Sequence, residues 1–268
     1  MELSDHRQLI SFLKKHHLYA KKRLGQNFLV DESILQKIVT AADLKKSDLV
    51  VEVGAGLGVL TQKLSKQAKK VVALEIDEKL AFVLRETTAD CKNLEIKNLD
   101  VLKYQPPQEK FKVVANIPYY ITSPILRHFL QREMRPEIII LLIQKEVAEK
   151  ICSNEESVLS LGVKVFGRPE VVAPVPKKSF FPAPKVDSAI LKITAYPEIA
   201  VKCPLPDFFR LIKIGFSQPR KKLINNLAAG LHLPKEELIS KLEKLSIDPS
   251  LRPQKLRIEQ WEQLVNGL

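Results

Sequence analysis

The chain has 268 residues, 45% of them hydrophobic, which suits one large domain or two modest ones and excludes a disordered chain. Its 43 Lys and Arg stand against 31 Asp and Glu, a net charge of +12, so a polyanion is the partner to expect. The longest apolar run near the middle, residues 138–143, is too short to span a bilayer, and the first residues lack the apolar core of a signal peptide. The expectation is a cytoplasmic protein with no membrane partner. Cys91, Cys152 and Cys203 are far apart and odd in number, and the five histidines form no cluster, so neither a disulfide framework nor a metal site is expected.

In chain order, residues 1–29 form a basic N-terminal segment that carries Lys14, Lys15, Lys21, Lys22 and Arg23. From residue 30 to residue 199, apolar β-branched runs alternate with helical patterns. Strands are predicted at 49–53, 71–74, 94–97, 113–115, 138–143, 163–165 and 189–193. Helical spacing runs through Lys63 and Leu64, through Leu80, Val83 and Leu84, and over 146–151. Continuous apolar strands separated by helices predict a mainly parallel sheet covered on both faces, an α/β fold. From about Pro204 the pattern is helical only, with helices predicted at 207–216, 221–229, 235–245 and 258–265 and prolines between them. Residues 200–268 are thus a smaller helical domain, with 12 Lys and Arg against 7 Asp and Glu.

The turn after the first of these strands reads Glu52-x-Gly54-x-Gly56-x-Gly58. Glycines between a strand and a helix let backbone N–H groups approach a ligand, so Gly54 and Gly56 are candidate cofactor contacts. The dinucleotide fingerprint would need a glycine where this chain has Val59. Glu75 ends the second strand and is placed to accept from ribose hydroxyls. Asp100 follows the third strand, where a carboxylate can accept from an adenine amino group. Asn116 ends the fourth. Strand ends converge in such sheets, so Gly54, Glu75, Asp100 and Asn116 are expected in one pocket.

Asn116-Ile117-Pro118-Tyr119 suits chemistry on an exocyclic amine, whose lone pair is delocalised into the base. The Asn116 side-chain oxygen can accept one N–H and the Ile117 carbonyl the other. Pro118 stiffens the turn, and Tyr119 can stack on the base. Phe180 and Phe181 precede a rigid Pro182-Ala183-Pro184, and Phe180 is expected to face the base while Phe181 packs.

With these residues the chain resembles the ribosomal RNA adenine dimethyltransferases along essentially its whole length. The likeness is carried by Lys22-Arg23-Leu24-Gly25-Gln26-Asn27-Phe28-Leu29, by the Gly54–Gly58 turn with Glu75 and Asp100, and by Asn116 to Tyr119. It continues in Phe180-x-Pro182-x-Pro184-Lys185-Val186-Asp187-Ser188, in Phe216-Ser217-x-x-Arg220-Lys221-Lys222-Leu223-x-Asn225, and in Leu251-Arg252-Pro253 with Trp261. The resemblance implies a Rossmann-like class I S-adenosylmethionine methyltransferase sheet of seven strands, the last pair antiparallel, with a small C-terminal all-helical domain. It implies S-adenosylmethionine as methyl donor, contacted by Asn27, Leu29, Gly54, Glu75, Asp100 and Asn116. The implied reaction is dimethylation of N6 on two adjacent adenosines near the 3′ end of 16S (small-subunit) ribosomal RNA, with a role in small-subunit biogenesis. Pro219 departs from the family's basic stretch and removes one backbone N–H.

Two basic clusters, Lys22 with Arg23 and Arg220 with Lys221 and Lys222, would hold the RNA backbone while the target base is extruded into the site. The 25–27 stretch is expected to order over the cofactor. Partners are then small-subunit ribosomal RNA and the immature small ribosomal subunit, met by a monomer. Competing readings are a large-subunit ribosomal RNA or DNA adenine N6-methyltransferase and, in another class, a non-catalytic ribosome assembly factor. Relatives acting on large-subunit RNA share the core boxes, and the Pro-Lys-Val-Asp-Ser string favours the small-subunit branch. The intact Glu75, Asp100 and Asn116 argue against a non-catalytic factor.

Overall fold

The structure is a computed structural model that describes residues 6–21 and 24–268. In chain order its elements are α1 (His6–Lys15), β1 (Phe28–Leu29), α2 (Glu32–Ala42), β2 (Leu49–Val53), α3 (Val59–Gln67), β3 (Lys70–Glu75), α4 (Glu78–Thr87), β4 (Leu94–Asn98) and β5 (Phe111–Asn116). There follow α5 (Thr122–Leu130), β6 (Ile138–Gln144), α6 (Lys145–Cys152), α7 (Val158–Lys164), β7 (Gly167–Val175), β8 (Phe180–Phe181) and β9 (Ser188–Ala195). Four helices close the chain, α8 (Leu205–Gly215), α9 (Leu223–Leu231), α10 (Lys235–Lys244) and α11 (Ile258–Gly267). No helix among the described residues is long and apolar enough to cross a membrane.

Two compact units divide the chain, one of residues 1–148 with 170–195 and one of residues 149–169 with 196–268. The first is built on a seven-stranded sheet in the order β4-β3-β2-β5-β6-β9-β7. Strands β4, β3, β2, β5 and β6 run parallel, and β9 is antiparallel to β6. Every residue of β2 is buried, which is why its sequence shows no polar alternation. The chain leaves β2 toward β3 and β4 on one side and toward β5 and β6 on the other. That reversal opens a crevice at the carboxyl ends of β2 and β5.

Residues two apart on a strand share a face. Val50, Val114, Ile140, Leu142 and Ile190 accordingly bury one face of the sheet against Ile34, Leu35, Ile38 and Val39 of α2 and Leu60 and Leu64 of α3. Each such side chain contributes about 1.5–3 kcal/mol on leaving water. Asp31 caps the start of α2 by accepting from the N–H groups of Ser33 and Ile34. At the far end of α2, the buried Lys112 of β5 donates to the Ala42 carbonyl at 3.2 Å and meets Asp48 at 2.8 Å. Burial opposes charge on Asp48, but Lys112 and the Lys45 N–H hold its carboxyl below the ordinary range. Helix α1 packs Leu9, Phe12 and Leu13 against Leu57, Leu80 and Val83.

In the second unit α8 packs on α9 and α11, and α9 on α10. Trp261 of α11 is fully buried and stacks on Phe216 with centroids 5.6 Å apart. A side chain at Gly215 would come within 2.4 Å of that indole, so the α8–α11 crossing needs a glycine there.

Two expectations are corrected. Residues 163–165, read as a strand, lie at the end of α7, because Ser157 and Ser160 form a reciprocal cap that starts a helix and Leu161 and Val163 bury its inner side. Strands β1, β7 and β8 are not foreseen, and in β7 Pro169 and Pro174 sit where only an edge strand tolerates them.

Candidate active site

A cavity of about 370 Å³ opens in the crevice, entirely within the first unit. Gly54, Gly56, Glu75, Asp100 and Asn116 all line it, drawn from four strand ends and the turns after them. The register sets Val53 opposite both Leu74 and Ala115, so Glu75 and Asn116 flank the glycine turn at one level. Gly54 has φ +75, and a Cβ there would lie 2.9 Å from the Asn116 carbonyl oxygen. The cradle can close on the Asn116 loop only as glycine. Glu75 accepts from the Gly56 N–H at 2.8 Å and from the Asp77 N–H at 2.9 Å, which ties the turn to β3. Burial pushes the Glu75 carboxyl pKa up against those two N–H groups. Asp100 accepts from the Leu102 N–H at 2.9 Å through one carboxylate oxygen.

Across the cavity runs the segment from Leu24 to Leu29. Lys21 pairs with Asp77 at 2.6 Å, and Gln26 donates to the same carboxylate at 3.1 Å. Burial opposes charge on Asp77, but Lys21 and Gln26 hold its pKa down. Gly25, at φ +59, packs so tightly on Pro118 that a Cβ would lie 2.9 Å from the proline ring. Asn27 donates to the Gly25 carbonyl at 3.0 Å, and its own carbonyl accepts from Asn116 Nδ2 at 3.4 Å. Leu29 is buried and pairs with Phe180 in a two-stranded clasp, β1 with β8. The segment therefore joins the Glu75–Asp77 side, the Asn116 loop and the Phe180 loop.

In the loop from Asn116 to Tyr119, Asn116 gives its amide N–H to the Asn27 carbonyl, which leaves Oδ1 to accept from a ligand. Ile117 is buried, and Pro118 opens a tight turn in which the Ile121 N–H reaches the Pro118 carbonyl at 3.2 Å. Tyr119 lines the cavity, and its hydroxyl lies 2.7 Å from that of Ser188. Phe180 lines the cavity too, but at 3% exposure it reaches it from within the core. Phe181 packs outward against the α1 cluster.

Glu52 lies at the cavity floor, on β2 and 1% exposed. Burial pushes its carboxyl pKa up to about 8. The Thr61 hydroxyl on α3 counters part of that, and the Glu75 carboxylate adds to it. Neither Glu52 Oε2 nor Thr61 Oγ1 makes a hydrogen bond of normal geometry among the described residues.

The structure thus brings Asn27, Leu29, Gly54, Gly56, Glu75, Asp100, Asn116, Ile117, Pro118, Tyr119 and Phe180 to one cavity. Lys22 and Arg23 lie outside the described residues. Arg220, Lys221 and Lys222 are all exposed on the second unit, at the start of α9. Sequence reasoning missed Ile76, Leu102 and Tyr120, which line the cavity yet are 54%, 43% and 65% exposed. Their signal was faint, a large apolar residue close after each strand-end polar group.

A family model for ribosomal RNA adenine dimethylase matches residues 17–268. Ribosomal RNA small subunit methyltransferase A of Dehalococcoides mccartyi is 41% identical over 266 residues, covering 96% of this chain and 91% of its own. The protein of the same name from Streptococcus uberis is 39% identical over 285 residues, covering 100% and 98%. Among solved structures, a dimethyladenosine transferase from Plasmodium falciparum has a TM-score of 0.78 at 30% identity, covering 88% of this chain and 95% of that one. The 23S rRNA methyltransferase ErmE has a TM-score of 0.75 at 30% identity, covering 90% and 99%. With a match that runs from the Gly25–Asn27 segment through the helical unit, the chain belongs to the ribosomal RNA adenine dimethylase family.

Proposed function

We propose that this protein transfers methyl groups from S-adenosylmethionine to N6 of two adjacent adenosines near the 3′ end of small-subunit ribosomal RNA. The observation that carries the reading is Asn116 Oδ1, held at the mouth of a glycine-cradled cavity by the bond from its Nδ2 to Asn27. The donor fits the residues present. The cavity is of ligand size, the Gly54 cradle tolerates no Cβ, and Glu52 Oε2 is a buried oxygen without a partner among the described residues. S-adenosylmethionine supplies an electrophilic methyl on a sulfonium. Glu75 is placed for ribose hydroxyls and Asp100 for an adenine amino group, while Asn27, Leu29, Gly54 and Gly56 form the walls. Asn116 Oδ1 and the Ile117 carbonyl accept hydrogen bonds from the N6 N–H groups, which localises the lone pair, and Tyr119 and Phe180 flank the base.

Arg220, Lys221 and Lys222 precede α9, whose N-terminus has no side-chain cap. Three adjacent exposed cations suit a phosphate backbone, and Lys22 and Arg23 add charge at the other end of the sequence. The protein would act in the cytoplasm, as a monomer, on an immature small ribosomal subunit. Relatives near 40% identity that are called small subunit methyltransferase A support that substrate over the large-subunit RNA named for ErmE. The test is transfer of labelled methyl to small ribosomal subunits lacking dimethyladenosine, followed by digestion to nucleosides. N6,N6-dimethyladenosine in small-subunit RNA is the expected product. Label on large-subunit RNA or DNA instead would replace the substrate, and no label with cofactor still bound would favour an assembly factor.

A further inference from the structure

Tyr119, in the turn after β5, and Ser188, on β9, meet through their hydroxyls at 2.7 Å. Ser188 is the first residue of β9, fully buried, and sits opposite Gln144 of β6. Strand β6 pairs on its other side with β5, where Leu142 faces Asn116. Neighbouring strands are about 4.8 Å apart, so the bond reaches over β6 between strands about 10 Å apart. Ser188 is itself held firmly. The preceding Asp187 accepts from the Lys177 N–H at 2.9 Å through its side chain and from the Lys145 N–H at 3.1 Å through its carbonyl.

The phenol is not a base here. Burial pushes the Tyr119 pKa up, the Ser188 bond offsets part of this, and the Asp187 charge adds to it, so the hydroxyl stays protonated at neutral pH. What the bond controls is orientation. A tyrosine ring swings about two torsions, and tying its far end removes that freedom. We propose that Ser188 is a positioning residue for methyl transfer: its hydroxyl, anchored by the β6–β9 ladder, fixes the ring of Tyr119 and through it the plane of the target base. The inference rests on the reading that Tyr119 stacks on that base. A tilted base carries N6 away from Asn116 Oδ1 and the Ile117 carbonyl, and small misplacements of reacting groups are expensive.

The test compares Ser188→Ala, Tyr119→Phe, their combination and Tyr119→Ala in the full chain. Each of the first two is expected to lower kcat about fivefold to tenfold, the scale of one hydrogen bond, with the cofactor Kd unchanged. The double variant should be no worse than either single, because both remove one bond. With 2-aminopurine at the target position of an RNA fragment, quenching by stacking should weaken in both singles, which a loss of fold stability alone would not produce in protein that remains folded. Wild-type kcat and quenching in Ser188→Ala and Tyr119→Phe, beside a crippled Tyr119→Ala, would overturn the proposal. So would losses that multiply in the double variant. Full activity in Tyr119→Ala would instead remove the stacking reading beneath it.

Discussion

Glu52 offers a quantitative test of the cavity's electrostatics through the perturbation Glu52→Gln. An acid whose pKa is raised on folding binds a proton in the native state that the unfolded chain has already lost. Stability from this group is therefore greatest below the unfolded value of 4.5, falls as pH rises, and levels off above about 8. At about 1.4 kcal/mol per pH unit the whole traverse is on the order of 5 kcal/mol, and the stretch from pH 5.5 to 8 about 3 kcal/mol. In a protein of this size that is a fall in Tm of about 10 °C. Glutamine has the same shape and no proton to lose, so Glu52→Gln should unfold near the wild-type temperature at pH 5.5 and well above it at pH 8. Glu75, whose pKa is also raised, tilts both curves the same way. His128, whose pKa is lowered by burial and by Arg132, tilts both the other way. The difference between the two proteins isolates Glu52. Thermal unfolding by circular dichroism from pH 5.5 to 9, without cofactor, is the assay. Parallel curves would refute the reasoning, because they would mean that Glu52 is solvated or paired and ionises in the folded protein as it does in the unfolded one.

Asn116→Ala should cost about 3 kcal/mol of transition-state stabilisation, more than a hundredfold in single-turnover methyl transfer, while weakening cofactor affinity less than Glu75→Ala does. Near-normal turnover would sink the role given to Oδ1. Gly54→Ala forces a side chain into left-handed backbone at about 1–2 kcal/mol and against the Asn116 carbonyl, so cofactor Kd by calorimetry should weaken at least tenfold. An unchanged Kd would mean the cradle gives way freely. Replacing Arg220, Lys221 and Lys222 with Ala should lower the slope of log K against log salt for RNA binding by about 2–3, at roughly 0.7–0.9 for each phosphate no longer neutralised. The same slope would place these cations off the RNA path.

The sheet was legible because burial on both faces writes itself as unbroken apolar runs, as in Val71 to Leu74 of β3 and Ile138 to Ile143 of β6. The strand-end residues were legible by the same logic, since Glu75 and Asn116 are the first polar positions after such runs. Strand β7 was not, because its exposed Glu170, Val171 and Val172 and its two prolines carry no burial pattern. The misread 163–165 shows the opposite failure. Val-Lys-Val alternates like a strand, and only the Ser157–Ser160 cap decides for a helix. Contacts between distant segments left no periodic trace at all. Gln26 with Asp77, Gly25 against Pro118 and Tyr119 with Ser188 each join residues whose neighbourhood is set by the assembled sheet.

The clasp of β1 with β8 carries a consequence for biosynthesis. The cavity wall at Leu29 is held by residues made much later: Val30 donates to the Ser179 carbonyl, and Ser179 Oγ reaches Asp31, 148 positions away. Contacts of such long sequence separation form late, because closing so large a loop precedes any reward for it. A nascent chain that has not yet passed residue 181 can assemble β2 to β6 but not this wall. A ligand of the cavity consequently stabilises truncated products and early folding intermediates less than chains whose synthesis has run beyond the clasp.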